Sequence, residues 1–233
     1  MRITFPLLLC MALCGAQAQD SGCLVATASD VHQDAVHMLQ ATRSVPRSMA
    51  EPHNLKWELP IAAATAVLIT SADSHVARQF TSPSTISTSN TASNAALGAE
   101  VALAAVPYIA GCAGGHQRAR RAGLVALEGL GYSLGADGML KLATNRQRPI
   151  PPNTSGSFWE GGKSFPSGHA SATWGVASAL AHSYPDKRYV KWAAYGIAAT
   201  ASLLRIPARK HFPSDVLIGG TLGYVVGAAV ASR

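Results

Sequence analysis

Charged and aromatic residues are both scarce in this chain of 233 residues. Charged side chains make up 13% of the sequence and aromatic side chains 6%, whereas hydrophobic residues make up 48%. A disordered chain needs low hydrophobicity and high net charge, so this composition excludes that class. With 4 cysteines and 21 glycines the chain is neither a disulfide-dense scaffold nor a collagen. Scarce aromatic side chains and abundant alanine and glycine favour closely packed helices over a sheet.

Several functional motifs are also missing. The sequence contains no H-E-x-x-H motif, no carboxylate cluster and no glycine-rich phosphate loop followed by Lys-Ser or Lys-Thr, so no metal site is predicted. The net charge of +7 is not arranged as a basic stripe interleaved with aromatic residues, which argues against a nucleic-acid partner. No repeat of 20–50 residues is present.

The amino terminus carries the pattern of a secretory signal. Arg2 is followed by an apolar run over 3–14 and then by Ala-Gln-Ala at 16–18. This pattern predicts a signal peptide over 1–18 and secretion across the inner membrane, most simply to the periplasm. The alternative is a first transmembrane anchor and an integral membrane protein, although the run is short for a span.

The rest of the chain is predicted to form an arm and one domain. Residues 19–56 are polar, contain two prolines and are interpreted as an N-terminal arm with a short amphipathic helix that begins near Ser29. Residues 57–233 form the predicted domain, within which Thr, Ser and Asn dominate 81–94 and predict a surface loop or linker. Cys23 and Cys112 remain after the signal, either as one disulfide or as two buried thiols.

Apolar segments of helical length fill the domain. No stretch alternates with period two, so the prediction is an all-α fold, a single bundle of about six helices. The uncharged run in the carboxyl-terminal tail, Val216–Ser232, has 17 residues. Because a span needs about 20 residues, run length favours a bundle in water over one in a membrane. The six predicted helices are 59–72, 96–113, 121–141, 168–183, 188–204 and 213–231.

The candidate catalytic and binding residues lie in three short clusters. Each is common alone, but their shared order and spacing make a specific signal. The clusters are Lys141-x6-Arg148-Pro149, Pro166-Ser167-Gly168-His169 and Arg205-x5-His211-x3-Asp215.

The residue types in these clusters suit a phosphate ligand. Lys141, Arg148 and Arg205 supply three cations, which need an anion if the fold brings them together. Ser167 can cap a helix whose first backbone N–H groups and dipole attract an anion, and Gly168 permits close approach of a ligand.

The third cluster predicts an oriented histidine. Asp215 lies about one helical turn after His211, so its carboxylate can reach one ring nitrogen and leave the other free as a nucleophile or base. The alternative is a helix-capping aspartate beside an unrelated histidine.

Together the clusters resemble those of the type 2 phosphatidic acid phosphatase superfamily, which includes class A acid phosphatases, membrane lipid phosphatases and vanadium haloperoxidases. The resemblance covers about residues 96–231. It implies that His211 forms a phosphohistidine, that Asp215 orients His211, and that His169 protonates the leaving oxygen. The family usually has Ser directly before the arginine of the third cluster, where this chain has Leu204. The implied phosphate-binding residues are Lys141, Arg148, Ser167, Gly168 and Arg205.

The expected activity is therefore metal-independent hydrolysis of phosphate monoesters. The partner is a phosphorylated small molecule or a lipid headgroup, and no cofactor is expected, although vanadate should bind as a phosphate mimic. The alternatives are an integral membrane lipid phosphatase acting on lipid phosphates or pyrophosphates, a vanadium-dependent haloperoxidase, and a non-enzymatic anion-binding protein. A basic group at Arg118, Arg120 and Arg121 is either a solvated turn or a contact for anionic lipid headgroups.

Overall fold

A computed structural model describes residues 23, 27–39, 52–150 and 155–232, without the side chains of 52–55. The predicted signal peptide lies outside these residues. Within them the secondary structure is helical with no β-strand, so the predicted all-α class is confirmed.

The helices follow one another with short connections. All six predicted segments are helical, and the expected number of about six is close to the observed number. The elements are α1 (27–39), α2 (Pro52–Val67), a π-helical turn (Leu68–Ala72), α3 (Asp73–Gln79), α4 (Pro83–Gly114), α5 (Gln117–Thr144), α6 (Gly168–Ser183), α7 (Arg188–Leu203) and α8 (Pro213–Ala231).

Helix α6 lies at the centre of the bundle and packs against α4, α5, α7 and α8. Small residues permit the close contacts that the composition predicts. A Cβ atom added at Gly129 would lie 2.8 Å from the carbonyl oxygen of Gly175, and one at Gly219 would lie 2.6 Å from that of Ser167. The second contact fixes the start of α8 against the start of α6. The buried core residues are Ala104, Val125, Ala126, Val176, Ala179, Leu180 and Val230.

One end of the bundle collects the chain segments that carry the three clusters. The last turn of α5, loop residues 145–150 and 155–167, and the first turns of α6 and α8 meet there. The backbone N–H of Ser164 donates to the carbonyl of Arg146, and that of Ser167 donates to the carbonyl of Asp215, both at 2.9 Å. We call this the loop end and the opposite one the far end. The loop end brings together residues up to 74 positions apart in sequence, from Lys141 to Asp215.

The prediction of a loop or linker over 81–94 is wrong, because these residues form the first turns of α4. Pro83 occupies the first turn of the helix, where its missing N–H costs nothing. The polar side chains that suggested a loop make tertiary contacts instead. Ser93 is fully buried, and its hydroxyl donates to the carbonyl of Ala201 at 2.7 Å.

The arm contains the predicted short helix, which is attached at the far end. Cys23 and Cys112 form a disulfide, which resolves the two alternatives left open by the sequence. Arg120 pairs with Asp30 at 2.9 Å, and Arg121 pairs with Asp34 at 2.8 Å. The third arginine of the basic group, Arg118, pairs with Asp186 between α6 and α7. Carboxylates of the protein thus contact all three arginines, and the apolar residues Val31, Val36 and Leu39 of α1 remain exposed.

Three helical segments of the described chain are long and apolar enough to cross a membrane. They are Lys56–Gln79 with 24 residues, Pro83–Gly114 with 32 and Pro213–Ala231 with 19. Run length in the sequence did not reveal them, because isolated polar residues interrupt the runs without ending the helices. Large apolar side chains face outward on the first two segments: Leu59, Val67 and Val106 are each 61% exposed.

Candidate active site

A cavity of about 420 Å³ opens at the loop end. Its polar side contains six of the eight residues that the sequence singled out. Its other side is apolar and comes from α4, α5 and α6. The polar lining is Asp137, Lys141, Arg148, Gly168, His169, Arg205 and His211, and the apolar lining is Leu97, Val101, Leu130, Leu134 and Ala172.

His211 is held in one tautomer at the base of this cavity. Its Nδ1 lies 2.7 Å from the carbonyl oxygen of Ser164. A carbonyl only accepts hydrogen bonds, so Nδ1 carries the proton and Nε2 keeps a free lone pair. Burial lowers the pKa of His211, against the opposing effect of Asp215. The ring is therefore neutral at neutral pH, with a free lone pair on Nε2.

Asp215 lies behind His211 but does not accept its hydrogen bond. Its Oδ2 is 3.7 Å from Nδ1 of His211, which is too long for a hydrogen bond. The carboxylate instead accepts from the hydroxyl of Ser164 at 2.6 Å and from the backbone N–H of Phe212 at 2.8 Å. Asp215 therefore fixes the two segments that carry His211 and its carbonyl acceptor, and acts on the ring by charge.

A buried arginine that sequence reasoning missed connects Asp215 to the amino-terminal part of the domain. Nη1 of Arg146 donates to Asp215 at 2.6 Å, and Nη2 donates to Asp73 of α3 at 2.7 Å. Asp73 also accepts from the backbone N–H of Ser214 at 3.1 Å. The guanidinium lies between the rings of Phe158 and Phe212, 4.7 and 4.4 Å from their centroids. No spacing in the sequence pointed to Asp73.

Lys141 and Gly168 lie at the start of α6. Nζ of Lys141 donates to the carbonyl of Pro166 at 2.7 Å and to the carboxylate of Asp137, a second residue that the sequence did not indicate. A Cβ atom on Gly168 would lie 3.2 Å from Asp137 and 3.3 Å from Nζ of Lys141, so only glycine fits without displacing them. Burial lowers the pKa of Lys141, and its bond to Asp137 opposes that shift.

Ser167 precedes α6, but its hydroxyl caps no backbone N–H group. The hydroxyl is buried without a hydrogen-bond partner among the described residues. A buried hydroxyl without a hydrogen-bond partner costs free energy. This hydroxyl is therefore available to form a hydrogen bond with a ligand. Ser167 occupies the predicted N-cap position of α6 without a side-chain capping bond, and its predicted role in phosphate binding stays a prediction.

Arg205 and Arg148 supply the remaining positive charge. Nη1 of Arg205 donates to Asn90 at 3.2 Å and to Asn94 at 3.3 Å, and Nε has no partner among the described residues. Burial and the charge of Arg148 lower the pKa of Arg205 to about 10. No carboxylate in the described chain pairs with Arg205. A buried cation without a counter-ion favours binding of an anion.

His169 lies in the first turn of α6, with Nε2 2.8 Å from Oδ1 of Asn94. Burial is the largest cause that lowers its pKa, to about 3, and the charges of Arg205, His211, Lys141 and Arg148 add to it. A bound phosphate would offset the positive charge of these neighbours and so raise the pKa of His169.

The cavity thus places three cations and two histidines around one site in an all-helical fold, which suits a phosphate ligand. Residues 122–232, which contain all three clusters, match the sequence model of the PAP2 superfamily. The family resemblance drawn from the three clusters is thereby confirmed. Of the polar site residues described above, Asp73, Asn90 and Asn94 precede the matched region.

A solved structure with a similar chain is the crystal structure of the first transmembrane PAP2 type phosphatidylglycerolphosphate phosphatase from Bacillus subtilis. The two chains are 22% identical, the similarity covers 75% of this chain and 94% of that one, and the TM-score is 0.47. At that identity and score the likeness assigns no substrate to this chain. No curated protein matches it significantly.

Proposed function

We propose that the protein is a metal-independent phosphatase that hydrolyses lipid phosphate monoesters at the membrane through a phosphohistidine on His211. The observation that supports this proposal most is the two-sided cavity. One side presents His211, His169 and three cations, and the other side presents leucine, valine and alanine. A phosphate ester of an apolar alcohol matches both sides.

In the first step Nε2 of His211 attacks the phosphorus atom, and the bond from phosphorus to the ester oxygen breaks. The leaving oxygen takes its electron pair and receives a proton through His169. Lys141, Arg148 and Arg205 stabilise the phosphoryl oxygens, together with the backbone N–H at Gly168. Phosphoryl transfer depends mainly on such positioning and charge stabilisation, which here come from side-chain cations.

In the second step water attacks the phosphohistidine. His169 accepts a proton from the water, the phosphorus–nitrogen bond breaks, and its electron pair returns to Nε2 of His211. Inorganic phosphate then leaves. His169 thus acts as an acid in the first step and a base in the second, which requires its pKa to rise when phosphate is bound.

The outer surface of the protein supports location in a membrane rather than in free solution. The three apolar segments leave large apolar side chains exposed, and a soluble monomer rarely exposes apolar patches of that extent. The hypothesis of an integral membrane lipid phosphatase is therefore favoured over the soluble bundle that run lengths suggested.

The test is hydrolysis by the detergent-purified full chain, with a chelator present, of an aryl phosphate and of a diacylglycerol phosphate in micelles. We expect turnover of both, higher kcat/KM for the lipid, competitive inhibition by vanadate, and loss of at least about 1,000-fold in His211→Ala. His182→Ala, in the same bundle but bonded to the carbonyl of Ser178, is the control that should stay active. Dependence on an added divalent metal, or activity that survives in His211→Ala, would contradict the proposal.

A further inference from the structure

Helix α4 contributes two asparagines to the cavity's edge, one helical turn apart. Oδ1 of Asn90 accepts a hydrogen bond from Nη1 of Arg205 at 3.2 Å. Oδ1 of Asn94 accepts from the same nitrogen at 3.3 Å and also lies 2.8 Å from Nε2 of His169. Both asparagines precede the residues that match the superfamily model, so the family match does not assign them a role.

The shared contact determines the tautomer of His169. A guanidinium nitrogen only donates, so the atom of Asn94 that faces Arg205 is the amide oxygen. The same oxygen faces Nε2 of His169, which therefore carries a hydrogen. Nδ1 is then the unprotonated nitrogen of the neutral ring and the atom that gains a proton when the ring becomes cationic.

We propose that Asn94 is a positioning residue for the acid–base step, which fixes His169 as the Nε2–H tautomer and connects it to the phosphate-binding Arg205. This inference rests on the proposed function, since it assigns Asn94 to the histidine that transfers the proton. Nδ1 is the nitrogen that exchanges the proton with the leaving oxygen and then with water. Asn90, which contacts Arg205 alone, acts only on phosphate binding.

The charges around His169 explain why a neutral amide suits this position. Arg205 and His211 face the ring from the segment between α7 and α8, and Lys141 and Arg148 face it from the end of α5 and the loop that follows. Asp137 also lines the cavity, but its carboxylate is bonded to Lys141. An aspartate at position 94 would hold a proton on His169 and neutralise Arg205, whereas asparagine accepts both hydrogen bonds and leaves the positive charge for the substrate.

The role of Asn94 is tested with two substrates whose leaving groups differ in their need for a proton. In Asn94→Ala we expect kcat/KM, which reports only the steps up to loss of the leaving group, to fall about 100-fold for glycerol phosphate, whose alkoxide needs a proton. For 4-nitrophenyl phosphate, whose leaving group needs none, we expect a fall of less than about 5-fold. Asn90→Ala is the matched control, and it should raise KM for both substrates alike. An equal loss on both substrates in Asn94→Ala, or no loss on either, would overturn the proposal.

A second measurement needs no turnover. Nuclear magnetic resonance of ring-labelled histidine, with the His169 signal assigned by its absence in His169→Gln, reports both the tautomer and the pKa. We expect the Nε2–H tautomer in the wild type, mixed tautomers in Asn94→Ala, and a His169 pKa at least about one unit higher in Asn94→Asp. An unchanged tautomer and pKa would overturn the role of Asn94. If the wild type hydrolyses neither phosphate, the proposed function fails, and this titration still decides the role of Asn94.

Discussion

At the scale of single residues, the proposed mechanism gives the two histidines different roles because their surroundings differ. His211 is buried against a carbonyl that holds its proton on Nδ1, which leaves Nε2 free. Burial and the surrounding cations lower the pKa of His169 to about 3, so its ring is neutral at neutral pH. The proton for the leaving oxygen must therefore arrive with the phosphate itself or be taken up when phosphate binds.

This proton requirement predicts an acidic pH optimum. A phosphate monoester loses its second proton near pH 6, so above that pH neither the substrate nor His169 carries the proton that the leaving oxygen needs. We expect kcat/KM to fall about tenfold per pH unit above about pH 6. Below that, the depressed pKa values of both histidines keep His211 nucleophilic under mildly acidic conditions. A profile from pH 4 to 9 that rises on the alkaline side would contradict this account.

At the scale of helices, the start of α8 is fixed by a buried network as well as by its own sequence. Asp215 is fully buried, and Arg146 and Asp73 are each 1% exposed. The π-helical turn directly precedes Asp73, so an irregular segment leads into the residue that completes the network. Because His211 lies two residues before α8, movement of this helix start moves the nucleophile.

Asp73→Asn tests that dependence. The substitution removes one partner of a buried ion pair, which typically costs about 3–5 kcal/mol. It should also shift the start of α8, and misplacement of a nucleophile by about 1 Å lowers the rate about 100-fold. We expect a lower Tm and a kcat reduced at least tenfold, with KM little changed.

The matched control is Asp34→Asn, which breaks a buried aspartate–arginine pair at the far end. It should lower Tm and leave kcat unchanged. An equal effect of the two substitutions on kcat would show that Asp73 acts through stability alone.

The sequence predicted the all-α class, and six of the eight site residues that it indicated line the cavity. These residues could be predicted because each cluster lies at a helix end, where short-range rules apply. It did not predict Asp73, Arg146 or Asn94. Their roles depend on contacts such as the 2.7 Å bond between Arg146 and Asp73, which join positions 73 residues apart. The error over 81–94 has the same origin, since Ser and Asn favour loops locally but are bonded here to α7 and to the turn after it.

At the scale of the whole molecule, the two ends of the bundle hold different features. The loop end holds the cavity, and the far end holds α1 through the disulfide and the two ion pairs of Arg120 and Arg121. Between them lie the outward-facing apolar side chains of the three candidate spans. The charged groups of the cavity and the ion pairs of the arm thus lie at the two ends, an arrangement that suits a membrane-embedded bundle.

Fractionation tests this arrangement. We expect the full chain to sediment with membranes, to stay there in high salt and alkaline carbonate, and to enter solution only with detergent. Release by salt alone would indicate a peripheral contact, and recovery in the soluble fraction without detergent would contradict the membrane-embedded bundle.

The most direct test of the central claim is to trap the covalent intermediate. A ³²P-labelled phosphate monoester is mixed with the enzyme, and turnover is stopped within milliseconds in alkali, where phosphohistidine survives. The account predicts label on the peptide that contains His211 in the wild type and no labelled protein in His211→Ala. Label on any other residue, or single-turnover hydrolysis by the wild type without labelled protein, would contradict it.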